Sequence, residues 1–375
     1  MSKAAELAAL IGSQTAQSNR NLFVNGGMQV HQRGNQTSSS GSSVYFVDRF
    51  NLYHVSGAAA NLQQSTVVPS GQGFSNSLLI DCTTADTSVA ATDVAVLRQV
   101  LEGKNLQQLA FGVSGAKSLT LSFWVRSTKT GTYVCEIYHN DSTTRHISKS
   151  YTISSADTWE YKTLTFPGDT AATIDNDNQA TFYVQWALMA GADTSDGTLA
   201  TSWQNLDDND RFVGQVNFFD STSNNFYLTG AQLEVGEQAT AFEHRSFGDD
   251  YAACQRYYFK MGQGVGGLPT PSGGYFRYAI GACQGSTSAG CMFFPPVPMR
   301  ATPTLEQTGT AGDYALYEAD AVHALTGVPA INSAQSSHTQ FNVTASSSGN
   351  LASGNAVEFM NNNSGTAYLA FSAEL

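Results

Sequence analysis

The chain has 375 residues, of which 18 are basic and 30 acidic; charged residues make up 13% and the net charge is −12. That share is about half the usual roughly 25%, too low for a long coiled coil or a charged disordered chain. An acidic chain also lacks the basic surface that a nucleic acid or an anionic membrane demands, so neither partner is expected.

Near the start, Ala4, Leu7, Ala8 and Ile11 fall at i, i+3, i+4 and i+7 and predict one short helix with an apolar stripe. So short a helix is marginal alone, and the stripe has no core of its own to join. Residues 1–20 are therefore read as a candidate anchor that docks on a partner; a frayed tail is the alternative. Met1 to Asn19 carry one Lys, an acidic Glu6 and only a brief apolar run, so no signal peptide is expected. Membrane insertion is not expected, since no stretch approaches ~18 apolar residues.

From Asn21 to about Phe247 the pattern changes to period two. Leu119, Leu121, Phe123 and Val125 alternate with Thr120, Ser122, Trp124 and Arg126. Tyr133, Cys135 and Ile137 alternate with Val134, Glu136 and Tyr138, and Phe182, Val184, Trp186 and Leu188 with Tyr183, Gln185, Ala187 and Met189. Shorter strands are expected at Tyr161–Thr165 and at Phe226 and Leu228, with a tight turn at Lys129-Thr130-Gly131. Such runs between Gly, Asn, Asp and Ser clusters predict an antiparallel sandwich. Leu97–Leu109 reads as a short helix or irregular crossover inside it.

Asp249–Phe259 is expected to be a short helix capped by Asp249 or Asp250, with Cys254 and Tyr258 on one side. It opens a second unit, 248–375, rich in Gly, Ser, Asn and Ala. Strands are expected at Tyr275–Ala282, Gly290–Phe294, Gln340–Ala345 and Tyr368–Ala373. The first of two expected structured units is then 21–247. No solenoid repeat is present, and neither is the pattern of a parallel β-helix.

Few motifs promise chemistry. Gly262-Gln263-Gly264-Val265-Gly266-Gly267 satisfies G-x-G-x-x-G, but Leu268-Pro269-Thr270-Pro271 follows and forbids the helix a dinucleotide site needs. A flexible loop is expected there. Asp175–Asn178 and Asp207–Asp210 are dense in oxygen ligands yet lack the EF-hand Gly and Glu, and read as solvated turns. The five cysteines form no C-x-x-C pair and are expected to be reduced and buried. The histidines show no H-E-x-x-H or H-x-H spacing, and no G-x-S-x-G elbow exists. No catalytic residue is nominated, although two distant carboxylates meeting in space would still make a glycosidase pair.

Parity makes the outward residues of the sandwich the candidate site. If the apolar residues face the core, Trp124, Arg126, Glu136, Tyr138, Tyr183 and Gln185 face away. Flat rings stack on the C–H faces of sugars, and flanking charged and amide groups bond the hydroxyls. The alternative is that a second layer or a neighbouring subunit covers this face.

Asn21-Leu22-Phe23-Val24-Asn25-Gly26-Gly27-Met28, Gln32-Arg33-Gly34 and Val47-Asp48-Arg49-Phe50 together resemble the opening of tail fibre proteins of tailed bacteriophages. Leu228–Gly236, Phe242-Glu243-His244-Arg245 and Cys254-Gln255-Arg256-Tyr257-Tyr258 are similar to the close of the same domain. Pro298–Thr304 and Ala370–Leu375 look like the C-terminal unit of those fibres. The resemblance implies a jelly roll like a carbohydrate-binding module, followed by a smaller C-terminal β domain. It also implies a homotrimer on the virion tail, docked through its N-terminus on other tail proteins and made in the bacterial cytoplasm. Related sugar-binding modules often place a calcium-ligating Glu just after the N-G-x-Met/Phe stretch; here Gln29 stands there. No cofactor or metal is expected, structural Ca²⁺ being the one ion the resemblance raises.

The expected function is attachment to a host-surface glycan by a non-enzymatic virion component. A polysaccharide depolymerase and a purely structural tail adaptor are the rivals. Decisive host contacts are expected in the C-terminal loops Gly262–Gly274, Ala330–Thr339 and Ser346–Gly354. Trimer contacts are expected around Phe293, Phe294, Tyr275, Phe276 and Tyr278.

Overall fold

The computed structural model describes residues 19–141, 143–262 and 275–375. The anchor residues Ala4, Leu7, Ala8 and Ile11 and nearly all of the Gly262–Gly274 loop lie outside the described residues. The chain divides into two compact units, one ending at Asp250 and the other running from Tyr251 to Glu374.

The first unit begins with β1 (Gln36–Ser38), β2 (Ser42–Tyr45), β3 (Phe50–Val55), β4 (Ala59–Ser65), β5 (Ser77–Thr84) and β6 (Val94–Glu102). It continues with β7 (Leu119–Ser127), β8 (Gly131–Asn140), β9 (Thr144–Ile153), β10 (Glu160–Phe166), β11 (Ala180–Ala190), β12 (Gln204–Asn205) and β13 (Asn225–Val235). They form a six-stranded sheet, β1-β4-β5-β13-β7-β10, and a seven-stranded sheet, β12-β9-β8-β11-β6-β3-β2. Every pairing in both is antiparallel. The unit is the antiparallel sandwich that the alternating runs predict, with the jelly-roll form that the resemblance implies.

Its core lies between the sheets. Leu119, Leu121, Phe123 and Val125 of one sheet face Tyr133, Cys135, Ile137, Phe182, Val184 and Trp186 of the other, all fully buried. Trp186 sits at the centre, its ring 5.7 Å from Phe123, 5.8 Å from Phe23 and 6.4 Å from Phe50. The five cysteines are all buried, and no disulfide joins any of them.

Two expectations change. Leu97–Glu102 belongs to β6 and is not helical; only Gly103–Asn105 and Gln107–Leu109 form 3₁₀ turns. Val94, Leu97 and Leu101 mimic a helical spacing, but the alternation of Ala95, Leu97 and Leu101 against Arg98 is what the sandwich uses. Leu22–Val24, which the sequence suggests as an opening strand able to pair with the closing strand Phe226–Leu233, is also not a strand. One backbone bond, Leu22 N to Leu233 O at 2.8 Å, does the work expected of a ladder.

Side chains complete this closure, and they come from the blocks that resemble phage fibres. Asn21 donates to Ala231 O at 3.0 Å and accepts from Leu233 N at 3.1 Å. Arg245 donates to Asn21 O at 2.7 Å and to Glu243 at 3.1 Å. Asn25, in the left-handed region at φ 61°, accepts from Val30 N at 2.9 Å and donates to Asp48 O at 3.0 Å. A Cβ on Gly26 would lie 2.1 Å from Ala231 O, so the turn closes only with glycine there. These residues are scaffold: they join the ends of the sandwich.

The helix Phe247–Gln255 starts earlier than expected and is capped by Ser246, whose hydroxyl accepts from Asp249 N at 3.1 Å. Asp249 and Asp250 sit in its first turn, where negative charge suits the helix dipole. Tyr258 lies beyond it, in β14 (Tyr258–Gly262).

The second unit continues with β15 (Arg277–Cys283), β16 (Ser288–Phe293), β17 (Thr304–Gln307), β18 (Tyr314–Glu318) and β19 (Ala321–Ala324). It ends with β20 (Ala330–Ile331), β21 (Phe341–Ser346), β22 (Ala356–Asn361) and β23 (Tyr368–Ser372). A three-stranded sheet β14-β23-β17 and a seven-stranded sheet β19-β18-β22-β15-β16-β21-β20 enclose a second core of Tyr314, Leu316, Phe341, Val343, Phe359 and Phe371. Phe293 and Tyr278 are buried in that core, whereas Phe294, Tyr275 and Phe276 are exposed. The expected trimer residues thus divide into core and surface. Ala330–Thr339 is partly structured, with β20 and a 3₁₀ turn at Ser333–Gln335.

Among the described residues no helix is long and apolar enough to cross a membrane.

Candidate functional site

The structure separates the six outward residues predicted to share a face. Trp124 and Arg126 belong to β7 of the six-stranded sheet. Glu136, Tyr138, Tyr183 and Gln185 belong to β8 and β11 of the seven-stranded sheet. Parity is right for all three strands. Because the strands lie in different layers, "outward" points to opposite sides of the sandwich.

On the seven-stranded sheet, antiparallel register lines up one polar row. Tyr45 pairs with Asn51, Asn51 with Arg98, Arg98 with Gln185, Gln185 with Glu136, and Glu136 with Ser148. Tyr138 pairs with Tyr183 one row along. Tyr53, on β3, flanks Arg98 from the other side.

The row is held by a buried network. Glu136, with no solvent exposure, accepts from Arg211 Nη2 at 2.8 Å and Nε at 3.0 Å, and from Gln185 Nε2 at 2.8 Å. Its Oε1 also lies 3.1 Å from Nδ1 of the fully buried His146. Gln204 bridges His146 Nε2, at 3.3 Å, and Asp210, at 2.8 Å. Burial alone would raise the Glu136 pKa, but the Arg211 charge and the bonds from His146 and Arg211 outweigh it and hold the carboxyl below its ordinary value. Arg211 is pushed up in turn, since Glu136 and Asp208 outweigh its burial.

The rings above the network are arranged by the two arginines. The Tyr138 and Tyr183 rings meet edge to face at 5.6 Å. Arg211 lies 5.2 Å from the Tyr138 centroid, and Arg98 lies 4.8 Å from Tyr53 and 5.3 Å from Tyr183. The result is a shallow depression of ≈ 260 Å³ whose lining includes Tyr53, Arg98, Asn140, Tyr138, Tyr183 and Arg211. The three rings and both guanidiniums are half-buried, whereas Gln185 and Glu136 lie beneath them. Glu136 is therefore a support of the face, whereas Gln185, almost fully buried, still lines the floor of the depression.

Sequence reasoning missed Tyr53, Arg98, His146 and Arg211. Tyr53 carried a usable signal, alternation in Phe50-Asn51-Leu52-Tyr53. Arg98 was hidden by the helical spacing around it. Arg211 follows the 3₁₀ turn Asp208–Asp210, and nothing in an irregular loop marks which sheet it will reach.

On the other side, Trp124 packs 5.3 Å from Tyr161 and lines an open cavity of ≈ 460 Å³ with Phe74, Phe242 and His244. Arg126 is paired with Asp157 at 3.0 Å and lies 5.2 Å from the Tyr227 ring. This cavity is larger, but its walls are mainly apolar and Arg126 does not line it.

No group of three His, Cys, Asp or Glu side chains is placed to hold a metal ion among the described residues.

No protein-family model matches the chain, and no curated protein matches it. Among solved structures it is similar to the enzymatically active domain of bacteriophage CBA120 tailspike protein 4, at 14% identity and TM-score 0.30 over 58% of this chain and 21% of that one. It is similar to a family 11 carbohydrate-binding module from Clostridium thermocellum in complex with a β-1,3-1,4-mixed-linked tetrasaccharide, at 14% identity and TM-score 0.28 over 56% of this chain and 98% of that one. The CBM22-1 xylan-binding domain from Paenibacillus barcinonensis Xyn10C matches at 10% identity and TM-score 0.29 over 60% of this chain and 99% of that one. Scores of this size leave the functional reading to the residues themselves.

Proposed function

We propose that this chain is a non-enzymatic virion tail fibre that attaches to a host-surface glycan through the tyrosine-lined face of its first unit. The observation that carries the glycan part is the group Tyr53, Tyr138 and Tyr183 on one sheet face, interleaved with two guanidiniums and underpinned by a saturated carboxylate. Rings offer flat surfaces to pyranose C–H groups, and Arg98, Arg211 and Asn140 offer donors to hydroxyls. A network that fixes the side chains in advance lowers the entropy lost on binding. Glu136 supports a binding role over hydrolysis, since its oxygens are taken by Arg211, His146 and Gln185.

The virion assignment rests on the sequence resemblance. In this reading the chain is a homotrimer, residues 1–20 dock on other tail proteins, and the C-terminal unit adds host contacts at its loops. Three copies compensate a weak single site by avidity. Purified chain is expected to bind host cells, and extracted host polysaccharide is expected to compete with that binding. Protein that fails to bind cells, or that releases reducing ends from the polysaccharide, refutes the assignment.

A further inference from the structure

Arg98 says what kind of glycan the face takes. Its Nε donates to Asn51 Oδ1 at 3.0 Å and its Nη2 to Ser43 Oγ at 3.3 Å, both neutral acceptors. The Tyr53 and Tyr183 rings flank it on the face, with the neutral Gln185 as its cross-strand neighbour. Among the described residues no carboxylate pairs with it. Arg211 is different, because Glu136 and Asp208 already pair with it.

A half-buried guanidinium without a counter-ion is costly, because burial disfavours its charged form and Arg211 adds a like charge on the same face. The same arrangement suits an anion that arrives with the ligand. A planar guanidinium binds a carboxylate through two parallel N–H groups, and with Nε and one Nη2 N–H committed to Asn51 and Ser43 the Nη1–Nη2 edge is the one left for it. Neutral sugars need rings and hydroxyl partners only, and give Arg98 no charge to meet.

Resting on the reading of this face as a glycan site, we propose that its ligand is an acidic polysaccharide whose carboxylate pairs with Arg98. The sugar ring then lies against Tyr183 or Tyr53, and Arg211, held by Glu136, donates to hydroxyls.

The test uses the full chain with polygalacturonate, hyaluronan and polysialic acid, each in native and carboxyl-reduced form, in affinity electrophoresis or calorimetry. At least one native polymer is expected to bind about tenfold or more tightly than its carboxyl-reduced counterpart. Arg98→Gln is expected to abolish that difference with no change in melting temperature, and Arg98→Lys to restore part of it. Carboxyl reduction changes the probe and not the protein, so the comparison holds even where a variant folds poorly. Equal binding of native and reduced polymers overturns the acidic-ligand proposal and leaves the glycan face standing. Binding of neither form by the unaltered chain, across these polymers and the host polysaccharide, overturns both.

Discussion

Replacing Glu136 with alanine tests whether the face is preorganised by the network beneath it. The carboxylate is fully buried and accepts from Arg211, Gln185 and His146. Removing it leaves a guanidinium whose side chain is only 17% exposed without its main partner. Breaking one side of such a pair costs about 3–5 kcal/mol, most of it the penalty of the stranded charge. For a unit of this size that corresponds to a fall in melting temperature of roughly 6–20 °C. The double variant Glu136→Ala with Arg211→Ala is expected to lose less than the sum of the single losses, with a coupling of about 1–3 kcal/mol. Calorimetric melts of the four proteins measure this. A Glu136→Ala melt within about 2 °C of the parent, or strictly additive losses, would refute the claim that this pair organises the face.

The same carboxylate predicts a pH dependence. Its folded pKa lies below the ordinary 4.5, so its contribution is complete above that value and is lost as pH falls through the folded value. Acid unfolding followed by near-UV circular dichroism is expected to be shallower in Glu136→Gln, and an unchanged acid limb would contradict the assignment. Trp186→Ala is expected to cost ~3–5 kcal/mol in denaturant titrations, since its ring is enclosed by Phe23, Phe50 and Phe123. Trp186→Phe is expected to cost clearly less, because the buried indole N–H has no partner to lose.

The strands with strict alternation were legible in the sequence because one face of each is buried: Leu119–Ser127, Gly131–Asn140 and Ala180–Ala190 contain the expected runs. Strands such as Ala59–Ser65 and Thr144–Ile153 were not, since their polar residues dilute the alternation. β6 was misread because its apolar residues fit two periods at once. Parity placed Tyr138 and Tyr183 together correctly. It could not tell which sheet β7 joins, so it wrongly put Trp124 and Arg126 beside them. Register across a sheet is a long-range property, and the Arg98–Gln185–Glu136 row exists only after β6, β11 and β8 have paired.

The central claim, that the tyrosine face of the first unit holds the glycan, is tested most directly by comparing Tyr183→Ala and Trp124→Ala in affinity electrophoresis through host-surface polysaccharide. The two aromatic residues lie on opposite faces of one sandwich, so each controls for the other. Tyr183→Ala is expected to lose at least about tenfold in affinity while Trp124→Ala binds like the parent, both with near-parental melting temperatures. Undiminished retardation of Tyr183→Ala, or its loss in Trp124→Ala alone, would contradict the account.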